Sequence, residues 1–263
     1  MTNQLKTTTP NVLFEISGSI ATITLNRPAQ RNAVNSDLSD ELRRAVDRIE
    51  ADETLKVGIL TGAGSVFCAG MDLTAFANME AEAILFEAGG FGGFVKRSRR
   101  KPIIAAVNGA ALAGGFELVL ACDLVVSVDT AIFGLPESKI GLIAGGGGAF
   151  RLGQRLPKAL ANEILLTGEP ISAARAYSMG LINKVVTKDE LIYEATRLAM
   201  TISNNAPLSI SRSLKLAECS DSLTDADCWK LNDELLKMSI SSDDAMEGAT
   251  AFKKKRLPRF KGR

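Results

Sequence analysis

KPIIAAVNGAALAGGFELVLACDL, residues 101–124, joins an apolar run at Ile103–Val107, a turn at Asn108-Gly109, a glycine pair at Gly114-Gly115 and an acid, Glu117, followed by Leu118, Val119, Leu120 and Ala121. The apolar stretch extends to Val128 and is long enough to suggest a membrane span, but Asn108, Glu117, Asp123 and interior glycines interrupt it. It reads as buried strand, loop and helix, followed by a further strand at Leu124–Val128. Upstream, Val57–Thr61 has the same short, β-rich character, and so does Ile182–Val186 downstream. Val12–Ile16 and Ile20–Asn26 flank Ser17-Gly18-Ser19 as a hairpin. A helix begins at Ser36/Asp37, with Leu38, Leu42, Ala45, Val46 and Ile49 on one face. Strands alternating with helices predict an α/β fold. From Ala206 onward the strand signals cease, and Pro207–Glu218, Thr224–Met238 and Ser242–Arg256 read as helices. This divides the chain into a core over 1–205 and a helical region over 206–263, too thin to hold much core of its own and expected to pack on the body or on another subunit.

The 263 residues are 46% hydrophobic and 23% charged, with a net charge of +1, so no global field draws in nucleic acid or an acidic membrane surface. Residues 1–10 are polar and Thr-rich rather than signal-like, which points to a cytoplasmic protein. Cys68, Cys122, Cys219 and Cys228 show no CxxC spacing and read as reduced thiols; no metal site is expected. The chain contains no histidine, which removes Ser-His and Cys-His nucleophilic mechanisms. Proton transfer falls mainly to carboxylates, Lys, Tyr or Cys.

VGILTGAGSVFCAGM (57–71) and IIAAVNGAALAGGFE (103–117) share one pattern: strand, glycine turn, short link, Ala-Gly. If their strands lie side by side, the backbone N–H groups of Met71 and Gly114 can converge as an oxyanion hole. Two tight turns with no ligand fit the same residues. Glu117, in its apolar surroundings, should have a raised pKa, although a structural Glu bonded to an Arg or to backbone is an equal reading. Glu137 follows Phe133-Gly134-Leu135-Pro136, a turn that would aim its side chain, and two carboxylates facing one cavity can divide acid and base roles. Gly145–Gly148 lead into a helix whose N-terminus can stabilise negative charge; a plain surface loop is the alternative. The run matches neither the P-loop nor the dinucleotide fingerprint.

These segments, with FGLPESKIGLIAGGGGAFRL (133–152), NRPAQRNAVN (26–35), FCAGMDL (67–73), LTGEPISAARAYSMGLINKVV (166–186) and EGATAFKKKRLPRFKG (247–262), resemble the crotonase (enoyl-CoA hydratase/isomerase) family over nearly the whole chain. The resemblance implies a ClpP-like spiral of ββα units with a C-terminal helical oligomerisation lobe, assembled as a homotrimer or as a hexamer of paired trimers. It implies an acyl-CoA thioester as substrate, coenzyme A being part of that substrate rather than a cofactor, and a place in fatty acid or lipid metabolism. On matching positions the oxyanion donors are the N–H groups of Met71 and Gly114, and the two hydratase glutamates are Glu117, as base, and Glu137, as acid. Gly146 and Gly147, opening a helix, would add positive potential beside the thioester oxygen. Substrate and CoA contacts fall on Arg27, Ala69, Asp72, Leu73, Gly146, Phe252 and Lys255, the last two across a subunit boundary. Ala144 stands where family hydratases commonly have proline. Glu87–Phe94, EAGGFGGF, reads as mobile, partly apolar and bordering the acyl chain.

The expected activity is reversible hydration of a 2-enoyl-CoA. The alternatives within the family are dehydration of a carnitinyl-CoA-type substrate, which the segment from Ser241 to the C-terminus resembles, enoyl-CoA isomerisation, and hydrolysis of a CoA-linked β-diketone. Glu137 beside Glu117 favours hydration, since isomerases of this superfamily usually use one carboxylate. A different class, a non-catalytic RNA-binding or interaction protein, would rest on the basic run Lys96–Lys101, which ordinarily reads as a solvated helix end.

Overall fold

The structure, a computed structural model, describes residues 9–219 and 222–263. β1 (Val12–Ser17) and β2 (Ile20–Leu25) form the expected antiparallel hairpin. α1 (Ser36–Ala51) follows, capped by the Asn35 side chain, which accepts from the Leu38 N–H. Its stripe of Leu38, Leu42, Ala45, Val46 and Ile49 is buried, as the spacing predicts.

Three units then repeat one pattern. β3 (Val57–Gly62) and β4 (Val66–Cys68) are followed by α2 (Leu73–Ala77), α3 (Ala81–Leu85) and a tight turn at Phe91–Gly93. β5 (Ile103–Val107) and β6 (Ala110–Leu112) lead into α4 (Gly114–Ala121). β7 (Leu124–Val128) and β8 (Ile132–Gly134) lead through a 3-10 turn at Pro136–Ile140 into α5 (Gly148–Arg155) and α6 (Lys158–Thr167). β9 (Ile171–Ser172), α7 (Ala173–Ser178) and β10 (Lys184–Val186) complete the sheets. Each unit sends its first strand to a six-stranded sheet, ordered β1-β2-β3-β5-β7-β10, and its second to a four-stranded sheet, ordered β4-β6-β8-β9. The result is a succession of ββα turns, with helices after each pair of strands.

The two similar segments do lie side by side. β3 pairs with β5 in parallel from Gly58↔Ile103 to Thr61↔Ala106, and β4 pairs with β6 at Val66↔Ala110 and Cys68↔Ala111. β5 is buried along its whole length, which is why its sequence is continuously apolar instead of alternating. The strand expected from Ile182 begins only at Lys184. Asn183 is taken up earlier, its side chain accepting from the Val125 N–H and its own N–H donating to the Val125 carbonyl.

α8 (Leu191–Ser203) packs on β3, β5 and β7 and buries Leu191, Ala195 and Ala199. Beyond it, α9 (Pro207–Cys219) buries no residue, α10 (Asp225–Ile240) buries Leu235, and α11 (Asp243–Lys253) buries Asp244 and Ala251. No helix among the described residues is long and apolar enough to cross a membrane.

Candidate active site

Glu117 lies in the first turn of α4 and is 3% exposed. Its Oε1 accepts from the Gly148 N–H at 2.8 Å. Gly148 opens α5, so the unsatisfied donors and the positive dipole end of that helix act on this carboxylate. The positive helix end expected beside a thioester oxygen is therefore directed at Glu117, because a buried carboxylate is a strong acceptor for a first-turn N–H. The fit is close: a Cβ added to Gly146 would stand 2.4 Å from Glu117 Oε2. Burial, above all, raises the Glu117 carboxyl to about 7, and the negative charge of Glu137 adds to it; the Gly148 and Gly146 amides and Arg151 act in the opposite direction.

Glu137 comes from the 3-10 turn that Pro136 initiates, and it too is buried. Burial raises its pKa. Its Oε2 is enclosed with no hydrogen-bond partner among the described residues. The two carboxyls thus differ in kind, one anchored by a backbone donor and the other lacking any partner on one oxygen.

Beside them, the chain turns sharply at Ala113, whose φ of 51° and ψ of −130° are costly for a residue with a Cβ. The turn is held by the Ala113 N–H donating to the Gly134 carbonyl at 2.9 Å. It sets Gly114 as the first residue of α4, where no helix acceptor reaches its N–H. Met71 forms a parallel bridge with Val34, in which the Val34 N–H donates to the Gly70 carbonyl and the Asp72 N–H to the Val34 carbonyl. Those bonds use the groups on either side of Met71, so the N–H of Met71 itself faces away from Val34. Gly70 rests against the Ala113-Gly114 corner: a Cβ on it would be 3.3 Å from the Gly114 nitrogen. The two donors singled out from sequence are brought into one neighbourhood.

Comparison with known proteins settles the lineage. A family model described as enoyl-CoA hydratase/isomerase matches residues 15–263. The chain is 42% identical over 252 residues to a carnitinyl-CoA dehydratase of Proteus mirabilis, covering 94% of this chain and 96% of that protein. It is 40% identical over 263 residues to an enoyl-CoA hydratase of Mycobacterium tuberculosis, covering 97% of each. A crystal structure of an enoyl-CoA hydratase from Mycobacterium marinum matches with a TM-score of 0.93 at 45% identity, covering 97% of this chain and 100% of that one. The chain belongs to the enoyl-CoA hydratase/isomerase family.

Its architecture is the crotonase fold of that family. Within this enoyl-CoA hydratase/isomerase frame, Arg27 and Asp72, both marked from sequence for CoA, are paired with each other at 2.9 Å, and Arg27 also donates to the Ala33 carbonyl. They fasten the loop before α1 to the loop before α2, where Asp72 also caps α2. Ala69 sits on the same seam, its N–H donating to the Arg31 carbonyl, while Leu73 is exposed. Phe252 and Lys255 are exposed at the far end of α11, and among the described residues neither side chain bonds to the glutamate cluster.

Phe91 is the residue that sequence reasoning undervalued. The expected mobile loop is, at this point, a packed wall: Phe91 is 1% exposed, and a Cβ on Gly114 would meet its Cζ at 2.3 Å. Its own Cβ lies 3.2 Å from the Cβ position of Gly146, so Phe91 packs against both Gly114 and Gly146. The only signal was an aromatic residue between two glycine pairs, Gly89-Gly90 and Gly92-Gly93. The basic run Lys96–Lys101 is largely consumed within the chain: Arg97 pairs with Asp47, Arg99 with Asp123 and Arg100 with Glu50, while Lys101 donates to the Ile49 and Asp52 carbonyls.

Proposed function

We propose that this family member is an enoyl-CoA hydratase, adding water reversibly across the 2,3 double bond of a 2-enoyl-CoA. The observation that carries the reading is the unlike pair of buried carboxyls, Glu117 bonded to the Gly148 N–H and Glu137 with an unpartnered oxygen. A carboxylate that accepts from a helix N-terminus is favoured as the anion, and with its pKa at about 7 it suits a base that takes a proton from water. A buried carboxyl oxygen without a donor is disfavoured as the anion and suits a proton source.

The N–H groups of Met71 and Gly114 would receive the thioester oxygen, drawing electron density from the β-carbon. Water loses its proton to Glu117 as its oxygen bonds to that carbon. The resulting enolate oxygen is stabilised by the two N–H groups, and the α-carbon takes a proton from Glu137; the reverse sequence eliminates water. Ala69, Leu73 and the Arg27–Asp72 seam would border the CoA moiety, with Phe252 and Lys255 contributed by a neighbouring subunit of a homotrimer or hexamer.

Likeness to the carnitinyl-CoA dehydratase of Proteus mirabilis favours a second reading, in which the same pair removes water from a carnitinyl-type acyl-CoA. Loss of the conjugated enoyl absorbance over a series of 2-enoyl-CoA chain lengths, with carnitinyl-CoA run in parallel, distinguishes the two. Glu117→Gln and Glu137→Gln are each expected to lower kcat by about 10² to 10⁴. Undiminished turnover in both variants defeats the mechanism, and turnover of carnitinyl-CoA alone changes the substrate.

A further inference from the structure

Arg151, on α5, enters none of the steps above, yet its guanidinium is folded back onto the start of its own helix. Nη1 donates to the Gly146 carbonyl at 3.1 Å, and Nη2 donates to the Val95 carbonyl. Val95 belongs to the Phe91 turn, since its N–H approaches the Phe91 carbonyl at 3.4 Å. One side chain therefore joins two segments: the glycine turn that supplies the Gly148 donor and the aromatic turn whose Phe91 packs on Gly114 and Gly146. Gly147 accommodates this arrangement. Its φ is 98°, and a Cβ there would stand 2.0 Å from Arg151 Nη1.

We propose that Arg151 is a positioning residue for Glu117, its planar fork clamping the Gly146–Gly148 turn and the Val95 segment together so that the Gly148 N–H stays on the Glu117 carboxylate. A fork with fixed spacing can hold two acceptors on separate segments, whereas a lysine ammonium carries the charge without that geometry. Glu117 faces Glu137 from the Pro136–Ile140 turn and Arg151 from α5. Arg151 in turn faces Arg155, Arg99 and the Cys122 thiol, with Glu218 of α9 on the same side. Arg99 is paired with Asp123 and Arg155 donates to the Cys122 carbonyl, so these two cations are held away from Glu117 by their own partners. The inference rests on Glu117 acting as the base in the proposed hydration.

Its test compares wild type, Arg151→Lys and Arg151→Met by the pH dependence of kcat/KM for 2-enoyl-CoA hydration, together with a carbon-13 titration of side-chain-labelled glutamates, in which Glu117→Gln assigns the Glu117 signal. Losing the clamp, and with it the Gly148 N–H bond as well as the cation, should move the acid limb and the Glu117 titration upward. The clamp also predicts a plateau kcat/KM at least about tenfold lower with KM little changed, as expected for a displaced catalytic group. Arg151→Lys keeps the charge but not the fork, so it should restore neither the titration fully nor the plateau. A merely structural arginine would lower thermal stability and leave both profiles in place, and that result overturns the proposal, as does full activity in Arg151→Lys. Should Arg151→Met not fold, Arg151→Gln replaces it, with the same upward shift required. If wild type hydrates no 2-enoyl-CoA, the hydration reading fails, and the carbon-13 titration decides the clamp separately: an unmoved Glu117 signal in the uncharged variant overturns it.

Discussion

Glu117 couples stability to pH in a direction opposite to most carboxylates. Its native carboxyl titrates at about 7 against an ordinary 4.5, chiefly because burial penalises the charge. Between those values the folded chain holds a proton that the unfolded chain has lost, so stability falls as pH rises through this window. The span corresponds to roughly 3 kcal/mol, fully lost above the native pKa. Glu137, also raised by burial, pulls the same way. Glu117→Gln, which keeps an oxygen for the Gly148 N–H and never ionises, should therefore stabilise the protein more at pH 8 than at pH 5. Urea unfolding at the two pH values measures this directly, and an equal change at both would show that Glu117 is not the group responsible. The histidine-free chemistry fits this picture, since burial raises Glu117 to about 7 and raises Glu137 as well.

At the scale of elements, α4 is held against β4 by a contact that only glycine permits: a Cβ on Gly115 would stand 2.1 Å from the Cys68 carbonyl oxygen and 2.7 Å from its carbon. Backbone cannot move aside as a flexible side chain can, so Gly115→Ala should push α4 off β4, costing about 1–3 kcal/mol and displacing Glu117 along with the helix. Gly153, on the exposed side of α5, has nothing within 4 Å of its Cβ position. Gly153→Ala should stabilise by about 0.5–1 kcal/mol and leave turnover unchanged. Thermal unfolding and hydration rates for the pair check both statements, and equal effects would mean that the Gly115 contact is not restrictive. These elements were unequally legible in the sequence. β5 declares itself through a continuous apolar run, β3 and β7 through mostly apolar ones, and α1 through its stripe, because burial acts on whole faces. The kinship of 57–71 with 103–117 foretold that Met71 and Gly114 come into one neighbourhood, because each segment is one turn of the same spiral. The Ala113 conformation left no trace, since nothing marks an alanine for positive φ. The bonds of Gly148 to Glu117 and of Arg27 to Asp72 join residues 31 and 45 apart, so only the closed fold reveals them. The Phe91 wall was hidden by its own glycines, whose freedom in sequence becomes a fixed path once the ring packs on Gly114.

For the whole molecule, the apolar surface is concentrated where the core ends. Phe252 is 88% exposed and Leu257 87%, and Trp229, Ile240 and Met246 are exposed on the same group of helices. The tail that presents Leu257 is ordered by its own bonds: Asp244 is buried and accepts from the Lys261 and Gly262 N–H groups, and the Arg256 guanidinium holds Glu247 down to about 2. A segment this thin, fixed in shape and apolar outward, matches the anatomy of a subunit interface more than that of a solvent face. Sedimentation of the intact chain should then show a trimer or a hexamer. Phe252→Asp combined with Leu257→Asp should shift it to smaller species by burying charge in the contact. If Phe252 also reaches a neighbour's CoA, dissociation will raise KM for the thioester more than it lowers kcat, because Glu117, Glu137, Met71 and Gly114 all come from one chain. A wild type that sediments as a monomer would refute the interface, and a dissociated variant with unchanged KM would confine the CoA site to a single subunit.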